Sequence, residues 1–180
     1  MLEGGEVMRK LGLMIGAGLL AACSSGDAGE QKAAVAAVPA KLPAGQWEVT
    51  ATVAGLRSTD KTTPAVKLKE GDTVTATGCV GADGQPPAEL FAAKGDQCAA
   101  ENPYVRNGRM NVQLDCTRTG AGKVMSDVSG KYTADGMTAT VTTTSFFSGS
   151  GDYELRQEVT GKRVGECAAT PADTKTAAKS

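Results

Sequence analysis

Apolar and polar residues alternate one by one along several stretches of this 180-residue chain. In the first stretch, single polar residues separate Trp47, Val49, Ala51 and Val53. Because successive side chains of a β-strand point to opposite faces of its sheet, this period of two predicts a strand with one buried and one solvated face. The same alternation recurs over residues 110–116, 137–141 and 153–159. The chain is therefore predicted to consist mainly of half-buried strands.

A helical signal is confined to one segment, residues 86–95. Pro86 and Pro87 stand at its start, Glu89 lies in its first turn and Gly95 ends it. This pattern predicts one short helix. Together with the strand signals, it predicts an all-β fold, an antiparallel meander of about seven strands that forms an incomplete barrel or a sandwich.

The dipeptide Asn107-Gly108 is typical of a two-residue hairpin turn of type I′, in which both central residues have positive φ. In the register that this turn sets, Cys98 lies one position away from Cys116 of the facing strand. A single bulge near Pro103 would bring the two cysteines opposite each other, and proline is tolerated at bulges.

Two further connections are predicted from turn residues. Asp135-Gly136 predicts a second two-residue hairpin turn, which pairs Tyr132 with Ala139. The glycine-rich segment 148–152 predicts a five-residue loop, which keeps the apolar residues of both flanking strands on the same face. A loop of four residues would place inward-facing residues opposite outward-facing ones.

The N-terminal region has the organisation of a bacterial secretion signal. Arg9 and Lys10 precede an apolar run, residues 11–20, which is too short to cross a bilayer as a helix. Leu20-Ala21-Ala22-Cys23 resembles the lipobox of bacterial lipoproteins, which implies cleavage before Cys23 and attachment of lipid to that cysteine. Translation is expected to start at Met8, since the acidic residues ahead of it are atypical of a basic signal start.

The lipobox resemblance also implies where the mature protein lies. Three acyl chains on Cys23 would hold it on a membrane without crossing that membrane. Position 24 is a serine. The enterobacterial sorting pattern retains lipoproteins with aspartate there in the inner membrane, so serine favours the outer membrane, facing the periplasm.

Four regions are predicted along the chain. They are a signal peptide (1–22), a flexible tether (23–41), a disulfide-bonded β domain (42–167) and a disordered tail (168–180). The tether and the tail are rich in small and polar residues. Such residues bury too little apolar surface to offset the entropy lost when a chain becomes ordered.

Four of the five cysteines lie in the predicted β domain, namely Cys79, Cys98, Cys116 and Cys167. An even number of cysteines in a small exported domain indicates two disulfides. The hairpin register favours a bridge between Cys98 and Cys116, which leaves Cys79 to pair with Cys167. A zinc site is disfavoured, since the chain has no histidine and no two cysteines separated by two residues.

Several short motifs occur in a fixed order along the domain: residues 43–49, Cys79, Cys98, Tyr104 with Asn107-Gly108, Cys116, residues 130–132 and residues 161–167. The set resembles a proteobacterial family of small exported proteins, domain-of-unknown-function family 3617. Its members open with a Pro-Gly-x-Trp-Glu strand and close with Gly-Lys/Arg-Arg-Leu-Gly-x-Cys. This chain inserts Ala44 before the glycine and has Val164 in place of the leucine. The resemblance implies an exported, disulfide-bonded β domain and brings no established activity.

Composition narrows the classes of function. The formal net charge is -1, so no overall field attracts nucleic acid. The absence of histidine removes Ser-His-Asp triads and imidazole metal ligands. We therefore predict no catalytic residue, no metal site and no cofactor. The remaining enzymatic alternative is a hydrolase that uses carboxylates alone, with four available groups: Asp127, Asp135, Glu154 and Glu158.

Four residues are expected to line a pocket: Trp47, Tyr132, Tyr153 and Gln157. Gln157 either lines a cavity or forms hydrogen bonds inside the core. The favoured hypothesis is a non-enzymatic binding module for an envelope partner or a small apolar ligand in the mouth of an incomplete barrel. The alternative is a structural, protective or inhibitory periplasmic module that acts through protein contacts. A cavity containing Gln157 would favour the first, and an exposed apolar patch the second.

Replacement of Cys23 by serine (Cys23→Ser) tests the lipoprotein prediction. We expect the wild-type chain to incorporate radiolabelled palmitate and to fractionate with membranes. The variant should lose both properties, because serine offers no thiol for acylation. A Ser24→Ala variant keeps the cysteine and should behave as the wild type. Equal membrane fractionation of Cys23→Ser and the wild type would contradict lipidation.

Overall fold

The computed structural model describes residues 37–168. Their elements are β1 (Gly45–Ser58), β2 (Thr73–Val80), a 3-10 helix (Ala88–Leu90), β3 (Asp96–Arg106), β4 (Arg109–Arg118), β5 (Gly122–Tyr132), β6 (Gly136–Phe147) and β7 (Tyr153–Gly165). All seven strands form one antiparallel sheet in the order β2-β1-β7-β6-β5-β4-β3. The sheet curls into a half-barrel, so the predicted all-β fold is confirmed as an incomplete barrel.

The meander is interrupted once. Strands β3 to β7 follow one another across the sheet, and β7 then pairs with β1 along a ladder that runs from Gln46 and Gly165 to Ser58 and Tyr153. Because β1 also pairs with β2, the two edges of the half-barrel are β2 and β3.

The alternating residues bury the concave face of the sheet. The buried apolar residues of its strands are Trp47, Val49, Val53, Val80, Val105, Met110, Val112, Leu114, Cys116, Val124, Val128, Tyr132, Met137, Ala139, Val141, Tyr153, Leu155 and Val159. At one end, Gly161 leaves room for its neighbours, since a Cβ there would lie 2.6 Å from Met137 Cγ and 2.9 Å from Val49 Cγ1. Met137 and Val49 therefore pack directly against the backbone of Gly161 at this end of the half-barrel, which we call the closed end.

The first predicted hairpin is confirmed. Asn107 has φ 51° and Gly108 has φ 74°, which are the two positive values that a type I′ turn requires. The β3–β4 ladder shifts its register within residues 101–104, where the bulge was expected. As a result, Cys98 lies directly opposite Cys116.

The prediction for the second turn is wrong, because Tyr132 pairs with Met137 and not with Ala139. Neither Asp135 nor Gly136 has positive φ, so the type I′ turn does not form. Instead, the N–H of Thr133 donates to the carbonyl of Gly136 at 2.8 Å, and the Thr133 hydroxyl accepts the N–H of Gly136 at 3.1 Å. The register moves by two residues, so each side chain keeps its face.

The connection between β6 and β7 is the predicted five-residue segment 148–152, but the predicted register is wrong, because Val141 pairs with Gln157 rather than with Val159. The side chains of Ser145 and Asp152 accept backbone N–H groups at the two strand ends, at 2.9 and 2.8 Å. These side-chain hydrogen bonds take the place of the last bonds of the ladder. The displacement is again two residues, so the apolar faces of both strands stay together.

Two disulfides connect the strands, in the pairs that the sequence predicted. Cys98 of β3 is bonded to Cys116 of β4, and their Cα atoms lie 4.0 Å apart. Cys79 of β2 is bonded to Cys167, which follows β7, and their Cα atoms lie 5.5 Å apart. The second bridge thus ties the edge strand β2 to the C-terminal end of β7, which lies on the far side of β1.

The predicted short helix is a single 3-10 turn, Ala88–Leu90. It contacts both edge strands and lies across the open side of the half-barrel. Gly78 of β2 makes this close approach possible, because a Cβ there would lie 2.8 Å from Pro87 Cγ and 3.0 Å from Leu90 Cδ2.

Several predictions fall outside the described residues: the signal peptide, Cys23, the tether up to residue 36 and the tail from residue 169. The described end of the predicted tether, residues 37–41, is hydrogen-bonded to the β domain. The carbonyl of Ala40 accepts the N–H of Asn107 at 3.0 Å and the hydroxyl of Tyr132 at 3.3 Å. Among residues 37–168, no helix is long and apolar enough to span a membrane.

Removal of the Cys79–Cys167 bridge is expected to destabilise the fold more than removal of Cys98–Cys116. The two bridges span sequence separations of 88 and 18 residues. Loop-closure entropy then predicts losses of about 4.5 and about 3 kcal/mol in the free energy of unfolding. Urea unfolding of the Cys79→Ala/Cys167→Ala and Cys98→Ala/Cys116→Ala variants measures both losses. A larger loss for the shorter bridge would contradict the prediction.

Candidate functional site

The concave face of the half-barrel encloses a cavity of about 320 Å³. The strand residues that line it are Val49, Ala51, Val74, Ala76, Asp96, Val124, Ser126, Val141, Thr143, Tyr153, Leu155, Gln157 and Val159. Ala51 and Ala76 present only a methyl group to this space, so the inner face is left unfilled here, in contrast to the closed end. The cavity is therefore mainly apolar, with a few polar groups in its wall.

Two segments outside the sheet cover the cavity. One is the connection between β1 and β2, residues 59–72, which we call the roof loop. Its Val66 and Leu68 line the cavity and pack against a buried cluster that contains Leu155. The other is the 3-10 helix with the residues that follow it, 91–94, which lines the cavity from the side of β3.

Asp60 fastens the roof loop to the loop between β6 and β7. Its Oδ2 accepts the N–H groups of Gly151 at 2.7 Å and Asp152 at 3.1 Å. Its Oδ1 accepts the hydroxyl of Thr62 at 2.7 Å and the N–H of Thr62 at 2.9 Å. These hydrogen bonds, those from Thr62 foremost, lower the pKa of Asp60 because they stabilise its charged form. The roof loop is thus anchored by charge-assisted hydrogen bonds.

Polar side chains form a band across β5, β6 and β7 on the inner face. The hydroxyls of Ser126 and Thr143 are hydrogen-bonded to each other at 2.8 Å. Gln157 is 9% exposed and lies between Val53 of β1 and Val141 of β6. Among the side-chain hydrogen bonds of the described residues, none involves the Gln157 amide. Its hydrogen-bonding groups therefore remain available to the cavity.

A largely buried ion pair stands on the β3 side of the cavity. Arg118 donates through Nε and Nη2 to the two carboxylate oxygens of Asp96 at 2.7 and 2.8 Å, and through Nη1 to the hydroxyl of Tyr153 at 3.1 Å. The side chain of Asp96 is 3% exposed. The hydrogen bonds to Asp96 raise the pKa of Arg118 above its usual value. Asp96 therefore adds little net charge to the cavity.

Two lysines stand at the mouth of the cavity. Lys67 lies in the roof loop and Lys94 follows the 3-10 helix, and both are exposed. Within the part of the chain that the structure describes, neither lysine takes part in an ion pair. Since Arg118 neutralises Asp96, the charge at the mouth is positive.

Two of the four residues predicted to line a pocket, Tyr153 and Gln157, do line this cavity. Trp47 and Tyr132 are not among its lining residues and are packed in the core with 0% and 2% exposure. The indole Nε1 of Trp47 donates to the carbonyl of Pro43 at 2.9 Å, so its polar group is satisfied there. All four residues face inward, and the structure brings two of them together at the cavity.

The four carboxylates considered for acid–base chemistry lie away from the cavity. Asp127, Glu154 and Glu158 occupy strand positions whose neighbours point inward, and Asp135 lies in the β5–β6 turn. Glu154 is paired with Arg57, and Glu158 with Arg156. Across residues 37–168, no group of three or more His, Cys, Asp or Glu side chains could hold a metal ion. The cavity thus offers apolar surface, an amide, hydroxyls and a positive mouth.

Some residues of the site were not identified from the sequence. Ser126 and Thr143 occupy inward-facing positions of alternating strands, so strand parity alone could have marked them as buried polar residues. Asp60 and Lys67 lie in a segment without a periodic pattern. Their place over the cavity depends on contacts with a loop that is about 90 residues away in sequence.

A comparison with protein families matches residues 42–167 to DUF3617, a protein family of unknown function. The chain belongs to the DUF3617 family. The predicted family resemblance is therefore confirmed. The DUF3617 region contains all seven strands, both disulfides and every residue that lines the cavity. Comparisons of this DUF3617 chain with curated proteins and with solved structures found no match.

The Asp60→Asn substitution is expected to destabilise this DUF3617 domain at neutral pH. The folded-state pKa of Asp60 lies below the unfolded value near 3.8. The stabilisation that the Asp60 charge gives to the folded state is therefore fully present above the unfolded pKa and is lost as the pH falls through the lowered folded-state pKa. The urea midpoint of the variant should lie below that of the wild type at pH 7, and the gap should narrow below about pH 4.

A matched control for this prediction is Asp127→Asn. The Asp127 carboxylate accepts only a long hydrogen bond from Gln113, at 3.4 Å on the outer face. Its removal should leave the urea midpoint close to that of the wild type at both pH values. If the urea midpoints of Asp60→Asn and the wild type differ as much at about pH 3 as at pH 7, the role given to the Asp60 charge is contradicted.

Proposed function

We propose that this DUF3617 chain is a non-enzymatic binding module of the bacterial cell envelope that holds a small apolar ligand in its half-barrel. The observation that carries the proposal is the cavity of about 320 Å³, which is mainly apolar, includes Gln157 in its wall and lies within a half-barrel with open edges. Ligand pockets typically measure about 300–1,000 Å³ and combine apolar walls with a few placed polar groups. The cavity has both properties.

The cellular location is part of the same proposal. The lipobox assigns a lipid anchor to Cys23, whose partner is the membrane, and Ser24 favours the periplasmic side of the outer membrane. The two disulfides are compatible with an oxidising compartment. In this arrangement the cavity works close to a membrane, which is a source of apolar ligands.

A module that acts only through protein contacts is the alternative function. It would be favoured by a filled core and a contiguous exposed apolar patch. The inner face of the half-barrel instead encloses a cavity rather than a filled core. Asp96, the carboxylate at the cavity, is held by Arg118, which also disfavours a carboxylate hydrolase. These observations favour the binding module.

Titration with the neutral fluorescent probe N-phenyl-1-naphthylamine tests this function. The full chain with Cys23→Ser is used, which leaves every described residue unchanged. The fluorescence of the probe should rise as it enters the apolar cavity, and the titration yields Kd. Ala76→Phe places an aromatic ring in the cavity from the edge strand β2, so it should weaken binding about tenfold or more.

The matched control is Thr77→Phe, the next residue of β2, which is exposed and faces away from the cavity. It adds the same ring outside the cavity and should leave Kd unchanged. Circular dichroism verifies that both variants are folded. The proposal fails if the wild type does not bind the probe, or if folded Ala76→Phe binds it as tightly as the wild type.

A further inference from the structure

Gln157 is a feature of the cavity that a purely apolar ligand does not explain. Its amide has two N–H donors and one carbonyl acceptor, and the residue is 9% exposed. Its ladder partners, Val53 and Val141, offer no polar side chain. Its polar atoms are not among the fully buried, unpartnered side-chain atoms of the described residues, so they are reached from the cavity. A ligand that displaces water from them must replace the lost hydrogen bonds. A ligand that contains a hydrogen-bonding group is therefore favoured over one without it.

The other polar groups of the cavity wall are already paired within the protein. Ser126 and Thr143 are bonded to each other, and Asp96 and Tyr153 are both bonded to Arg118. In contrast, the Gln157 amide takes part in no side-chain hydrogen bond of the described residues. Gln157 is thus positioned to bind a polar group of the ligand inside the cavity.

The charge at the mouth points to the other end of the ligand. Lys67 approaches the mouth from the roof loop and Lys94 from the segment that leads to β3. Neither is neutralised by an ion pair among the described residues, whereas Asp96 is neutralised by Arg118. Two unpaired positive charges at the rim of an apolar cavity favour an anionic group at the exposed end of a ligand.

We propose that the cavity binds a single-chain anionic amphiphile that contains an acyl carbonyl group. The acyl chain lies against the apolar wall, the carbonyl oxygen accepts a hydrogen bond from the Gln157 amide, and the anionic group lies at the rim near Lys67 and Lys94. Monoacyl phospholipids and N-acyl amino acids share this chemistry. The inference rests on the proposed binding function and adds the class of ligand.

Displacement of N-phenyl-1-naphthylamine by four ten-carbon amphiphiles separates these contributions. N-decanoylglycine carries a carbonyl and an anion, monodecanoylglycerol carries a carbonyl without charge, and decyl sulfate carries an anion without an acyl carbonyl. We expect N-decanoylglycine to displace the probe at a lower concentration than the last two. The fourth compound, decanoyl lysophosphatidylglycerol, distinguishes the two possible sources of the ligand. Tighter binding of this compound than of N-decanoylglycine identifies a monoacyl phospholipid, and weaker binding identifies an N-acyl amino acid.

Variants of the rim test the anionic end. Lys67→Gln/Lys94→Gln should weaken the binding of N-decanoylglycine about three- to tenfold and leave that of monodecanoylglycerol within about twofold. The matched control is Lys131→Gln, an exposed lysine on the outer face of β5, which should change neither affinity. Because these lysines are exposed, their replacement should not impair folding. The lysine variants therefore still test the inference if a substitution inside the cavity unfolds the domain.

Gln157→Leu tests the carbonyl contact, since the leucine side chain still fills the position but is apolar and has no amide. It should weaken the binding of all three acyl compounds about three- to tenfold and leave that of decyl sulfate unchanged. Equal displacement by anionic and neutral compounds, or affinities that both sets of variants leave unaltered, would overturn this inference while the proposed function stands. Failure of the probe and of all four compounds to bind would overturn both.

Discussion

The ladder between β1 and β7 is the interaction on which the rest of the structure depends. It joins the first and last strands, and thereby unites the β1–β2 hairpin with the meander of β3 to β7 in one sheet. β1 pairs with β2 on its other side, so the sheet ends in the strands β2 and β3, which do not pair with each other. The edges β2 and β3 stay apart, the 3-10 helix lies between them, and the space under it becomes the cavity.

Side-chain size divides the inner face into the closed end and the cavity. Met137 packs against Gly161 at the closed end, and Val49 contacts Gly161 and also lines the cavity. Ala51 and Ala76 leave space in the part of the inner face that Gln157 also lines. Only 4% of the residues are aromatic, so the chain has few side chains large enough to fill both ends. A core of this kind buries limited apolar surface, and the two disulfides add stability that packing does not supply.

Local rules predicted the features that depend on neighbouring residues. Strand parity, the Asn107-Gly108 hairpin, its bulge and the Cys98–Cys116 bridge all follow from alternation and backbone φ. The registers that follow Tyr132 and Val141 were wrong by two residues, because the side chains of Thr133 and Asp152 accept backbone N–H groups and so replace the hydrogen bonds of the standard turns. The cover of the cavity could not be predicted, since it depends on the fastening of the roof loop by Asp60 to residues far away in sequence.

The edge strand β2 is attached unequally at its two ends. Near Val80, Cys79 is bonded to Cys167 and Gly78 packs under the 3-10 helix, whereas the end at Thr73 is paired with β1 alone. Strand ends with few partners open at a lower free energy than the rest of a fold. One end of this wall of the cavity is therefore fixed by a covalent bond. Val74 and Ala76, which line the cavity, lie toward the end that hydrogen bonds to β1 alone hold in place.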